Sequence, residues 1–131
     1  MTDFPLYITA WTALILGALM VYLTYKVVSE RRSKHIVHGD NADKITQKKI
    51  RGHSNATEQI PIALILLGFV EYLEGSTYAL IIATVLIIGR LMHASYFSFD
   101  GTHWRFRFWG MMLTLTAQAM ALLALLRALV F

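Results

Sequence analysis

Four long stretches of the chain carry no charged residue, and polar segments separate them. They run from Phe4 to Tyr25, from Gln59 to Val70, from Gly75 to Gly89 with a continuation from Leu91 to Phe99, and from Phe108 to Leu126. A bilayer core of about 30 Å needs roughly 20 helical residues, and the first and last runs meet that length unaided. The second reaches it by recruiting Ile45 to Gln59, and the third by accommodating Arg90. The pattern therefore predicts an all-α integral membrane protein: a single domain over residues 1–131, folded as an up-and-down bundle of four transmembrane helices near residues 5–29, 42–73, 76–98 and 105–129. Gly39-Asp40-Asn41 is a turn signal, with Asp40, Asn41 or Asp43 able to cap the second helix. Glu74-Gly75-Ser76 leaves room only for a tight turn, and Ser98 to Trp104 contains the last one. Pro61, inside the second helix, removes one backbone hydrogen bond and reads as a packing kink that neighbouring helices repair.

Composition agrees with a membrane class: 56% of the 131 residues are hydrophobic and the mean hydropathy is +0.53. The opening MTDFPLY lacks the positive charge of a secretory leader, and no small-residue cleavage pattern follows, so the first run is read as a retained span. There are no cysteines, which excludes disulfides, thiolate zinc sites and a cysteine nucleophile; any thiol chemistry must use a borrowed thiol. His35 and His38 are three residues apart but have no third ligand nearby, so no metal site is expected.

The charges are distributed unevenly. Lys26, Arg31, Arg32, Lys34, Lys44, Lys48, Lys49 and Arg51 lie between the first two runs, and Arg105 and Arg107 between the last two. The opposite side has Asp3, Glu71 and Glu74, with Arg127 as the exception. By the positive-inside tendency the basic loops are cytoplasmic and both termini lie outside. The basic stretch comes with no nucleic-acid recognition motif, so it reads as a topology signal and not as a nucleic-acid surface.

The segment RGHSNATEQIP puts charged groups at the threshold of the second apolar run. At about 100° per residue, Arg51, Asn55 and Glu58 fall within about 60° of one another on a helix, with Lys44, Lys48 and Ser54 near that stripe and His53 almost opposite. Arg90, His93 and Phe97 group similarly on the third helix. Ionisable groups at membrane depth face a bundle interior or a wet cavity. One reading is a structural clamp in which Glu58 pairs with Arg51 or Arg90. The other is a site for a polar ligand bearing both signs, because four different chemistries share one stripe.

The spacing R-x-x-x-N-x-x-E (Arg51, Asn55, Glu58), followed by G-R-x-x-H (Gly89, Arg90, His93), resembles the MAPEG family, the membrane-associated proteins of eicosanoid and glutathione metabolism, and is most similar to its small bacterial branch. The resemblance extends from about Arg31 to Met111. It implies a homotrimer in the bacterial inner membrane with periplasmic termini, binding glutathione near the cytoplasmic side in a cleft between subunits. By position, Arg51, Asn55 and Glu58 would hold the glutathione backbone, Arg31 or its neighbour Arg32 a carboxylate, and Arg90 and His93 the third-helix wall. The family's thiol-activating arginine falls on Arg105 or Arg107, with alignment on Gly110-Met111 favouring Arg107. This sequence departs from the family at Phe97 and Gln59, where other members carry aromatic hydroxyls, at Ser54, where some carry arginine, and in having no tyrosine on the fourth helix. The implied activity is a glutathione transferase or peroxidase acting on hydrophobic electrophiles from the bilayer. The alternatives are a non-enzymatic ligand-binding or scaffold protein of the same family and, from the intramembrane Glu58, a small transporter.

Overall fold

The computed structural model describes residues 6–131, which form four helices: α1 (Tyr7–Ser33), α2 (Lys44–Glu74), α3 (Ser76–Ser98) and α4 (Trp104–Val130). Asp3 and the expected helix start at residue 5 lie outside the described residues. All four helices are long and apolar enough to cross a membrane. α1 runs past the expected end at residue 29, because its charged last turn is held by a Glu30–Lys34 pair at i,i+4 (2.7 Å).

α2 and α3 form the middle of the bundle. α1 packs on both, α4 packs on both, and among the described residues α1 and α4 do not meet. Leu16, Leu23, Ile60, Leu67 and Leu86 are buried at the centre. The buried stripe of α4 is made of small residues, Gly110, Thr114, Ala117 and Ala121, a pattern that lets membrane helices approach closely. At the closest point a Cβ on Gly110 would lie 2.4 Å from the His93 nitrogen and 2.7 Å from the Gly89 carbonyl oxygen, and one on Gly89 would lie 2.9 Å from the Gly110 oxygen. The two glycines therefore define the crossing of α3 and α4. Gly52 does the same for α2, where a Cβ would fall 2.5 Å from that of Phe97.

The two ends of the bundle are held differently. At the acidic end, Gly75 turns α2 into α3 at φ +90°, and the buried Glu71 accepts hydrogen bonds from the backbone N–H groups of Ile8 (2.8 Å) and Thr9 (2.7 Å). Glu71 thus caps α1 from another helix and satisfies two of the donors that a helix start leaves open. Arg127 pairs with Glu74 and donates to the Tyr78 hydroxyl at 3.4 Å, so the one cation that runs against the charge asymmetry is matched locally.

At the basic end Asp43 is the cap of α2, accepting from the Thr46 backbone N–H (2.8 Å) and hydroxyl (2.7 Å). Lys34 bridges Asp43 and Glu30, and Lys49 also pairs with Glu30. The hydrogen bond from Lys34, and then those from Thr46, hold the Asp43 carboxyl well below the usual carboxylate range. Its partners, Asp43 first and then Glu30, push the Lys34 ammonium up.

Candidate functional site

Helix lengths place the basic end relative to a bilayer. α3 has 23 residues and spans about 34 Å at about 1.5 Å per residue, close to the hydrocarbon thickness. α2 has 31 residues and leaves α3 by a single glycine, so its excess turns all project at the basic end. Gly52 lies level with Phe97, one residue before the end of α3. Arg51 and Asn55 consequently sit at the membrane boundary, while Glu58 lies about 9 Å deeper than Gly52.

A cleft of about 490 Å³ opens here between α2, α3 and α4, lined by Arg51, Asn55, His93, Phe97, Trp104, Arg107, Phe108, Met111 and Met112. Its volume falls in the range of small-ligand sites. The lining combines two guanidinium groups, an imidazole and a carboxamide with aromatic and thioether side chains. The Asn55 amide donates to the Arg51 carbonyl at 3.1 Å, which fixes its plane and leaves its oxygen for a ligand. His93 lies with its ring 4.9 Å from that of Phe97, and its Nδ1 is buried without a hydrogen-bond partner among the described residues. The glycine crossing sets the distance between His93 and α4, and Arg107 sits one turn before Gly110, so backbone contact positions the α4 cation against the α3 wall.

The sequence-derived candidates separate in the folded chain. Arg51, Asn55, His93 and Arg107 meet in the cleft. Arg105 is exposed and does not line it. Arg90 is fully buried with Nε and both Nη atoms unpartnered among the described residues; it shares a helix face with His93 but lies on the inner side of the wall. Glu58 is exposed, and no ion pair with Arg51 or Arg90 forms among the described residues. Arg31 lies elsewhere, in a second recess of about 250 Å³ between α1 and α2 with Thr24, Val27, Val28, Ile50 and His53. That recess is on the far side of α2 from the cleft, as the opposite azimuth of His53 requires. His53 had only that azimuth as a signal. Trp104, Phe108, Met111 and Met112, which belong to no site motif in the sequence, supply most of the apolar lining of the cleft.

Four membrane-crossing helices, with a cationic cleft at the basic end, make this an integral membrane protein of the four-helix class. The MAPEG family model matches residues 9–127, and the chain belongs to that family. It is 35% identical over 118 residues to the inner membrane protein YecN of Escherichia coli K12, covering 89% of this chain and 88% of that one. The same figures hold for YecN of Escherichia coli O6:H1.

Proposed function

We propose that the cleft binds glutathione as its thiolate and presents it to apolar electrophiles, so that the protein acts as a glutathione transferase or peroxidase in the inner membrane. The carrying observation is that Arg51, Asn55, His93 and Arg107 line one cleft together with Phe97, Trp104, Phe108, Met111 and Met112. Glutathione has two carboxylates, an ammonium and a thiol, and guanidinium forks match carboxylates. A free thiol has a pKa near 8.5, and each unit of depression requires about 1.4 kcal/mol of preference for the anion. Arg107 supplies that preference by charge. In the transferase reaction the thiol proton passes to solvent, sulfur forms a bond to the electrophilic carbon, and the leaving group departs with its electron pair. Trp104, Phe108, Met111 and Met112 hold the apolar substrate.

The site is completed by a second copy of the chain. Arg31 and His53 line a largely aliphatic recess on the opposite face of α2, where they cannot reach a ligand in the cleft of their own subunit. Glu58, exposed and deeper than Gly52, also calls for protein cover, because a carboxylate facing lipid is costly, up to roughly 2.5 to 3.5 kcal/mol at the bilayer centre on the lenient scale. A homotrimer with the recess of one subunit beside the cleft of the next brings the cations together and covers Glu58. Both termini then lie on the periplasmic side and the glutathione site faces the cytoplasm.

A second reading, a glutathione-binding protein without turnover, is favoured by the cleft lining, which includes no tyrosine, serine or threonine hydroxyl to assist the sulfur. Calorimetric titration of the purified protein with glutathione tests the common part of both readings. Saturable heat that disappears in Arg51→Ala is expected; no heat at millimolar glutathione would end the proposal.

A further inference from the structure

A second cationic feature lies at the basic end, centred on the last turn of α3. The Lys48 ammonium donates to the Phe99 carbonyl oxygen at 3.3 Å and stands 4.6 Å from the centre of the Tyr96 ring. From α1, the Lys26 ammonium approaches the Phe99 ring to 6.0 Å from its centre. Three helices thus bring two ammonium groups to one exposed aromatic residue. Neither lysine has a carboxylate partner among the described ion pairs, whereas Lys34 and Lys49 nearby both do. Asp100, the adjacent acid, is exposed on the turn and pairs with neither. Both lysines are half-buried, so their stems are packed and their heads are held in place without neutralisation.

The depth of this pair selects the ligand. Phe99 immediately follows α3, the helix whose length matches the hydrocarbon layer, and Lys26 comes seven residues before the end of α1. Two ammonium groups at that level meet the phosphates of the leaflet. One turn into the bilayer from Lys26 is Tyr22, 37% exposed, and two turns in from Phe99 is Leu91, 46% exposed; both offer surface to acyl chains.

We propose that Lys26 and Lys48 seat the phosphodiester of an anionic phospholipid, its headgroup between the two ammonium groups and its chains along α1 and α3. A phosphodiester presents two non-bridging oxygens that share one negative charge, so that each can accept from one ammonium, and its acyl chains fix it at the depth of Phe99. The seat is distinct from the glutathione cleft, sharing no residue with its lining, and requires no glutathione.

The test is native mass spectrometry of the purified full-length protein with equimolar phosphatidylglycerol and phosphatidylcholine of identical acyl chains. Two lysines near the leaflet surface correspond to about a thirty-fold preference for the anionic lipid. That preference should collapse in Lys26→Gln/Lys48→Gln and persist in Lys34→Gln, whose cation is already paired. Equal retention of the two lipids by the wild-type protein would overturn the proposal even if the double variant failed to fold. So would an undiminished preference in a folded double variant. Displacement of the lipid by equimolar inorganic phosphate would reassign the seat to free phosphate and also refute the lipid.

Discussion

Arg107 and Arg105 are two residues apart in sequence and both exposed, but only the first lines the cleft. Arg107→Ala should leave glutathione binding within a few-fold of wild type while abolishing the ultraviolet absorbance of bound thiolate, and Arg105→Ala should change neither. Binding itself should depend on Arg51. Its removal is expected to weaken affinity about tenfold or more, corresponding to about 1.4 kcal/mol, by calorimetry. Asp43 governs a separate property. Because its folded pKa is depressed by Lys34 and Thr46, its contribution to stability is fully present above the ordinary carboxylate pKa of about 3.9 and is lost as pH falls through its lower folded value. Between pH 5 and 7 this contribution is constant. An Asp43→Asn variant should therefore show a lower melting temperature across that window and a shallower acid-induced decline below it.

The elements were legible from charge-free run lengths, and α3 shows why. Gly75 and Asp100 bracket an apolar stretch interrupted by one arginine, and the observed helix is Ser76–Ser98. What periodicity could not supply was which face turns inward. Arg90, His93 and Phe97 share a face, yet only His93 and Phe97 line the cleft while Arg90 is sealed inside, because burial depends on how α3 docks and not on its own sequence. The Gly89–Gly110 crossing was hidden for the same reason: a glycine records close approach only once its partner helix is known. Gly110→Ala tests that crossing. Its new Cβ would collide with the His93 backbone, and overpacking of this kind costs typically 1 to 3 kcal/mol. A matching fall in thermal stability in detergent is expected, together with weaker glutathione binding as His93 and Arg107 are forced apart. Glu71→Gln should destabilise by about 1 kcal/mol or more, since a carboxamide leaves one of the half-buried Ile8 and Thr9 N–H groups without its acceptor.

At the scale of the whole molecule, the helix count, membrane class and basic end could be read from sequence, whereas the separation of Arg31 from Arg51 into two recesses could not, since it depends on how α1 and α4 dock on opposite faces of α2. This division makes a prediction that single substitutions cannot. Arg31→Ala and Arg51→Ala chains should each bind glutathione poorly alone, but co-assembled mixed oligomers should recover measurable binding, because some clefts then pair an intact Arg51 with an intact Arg31 from a neighbour. A site contained within one chain would show no recovery.

The account's central claim concerns sulfur: a cleft without hydroxyl groups keeps a borrowed thiol ionised through arginine. Ultraviolet difference titration of the purified wild-type protein with glutathione at pH 7 measures this directly. A saturable thiolate band that tracks the calorimetric isotherm is the predicted result. Saturated binding with no thiolate band would contradict thiol activation and leave a ligand-binding protein in its place.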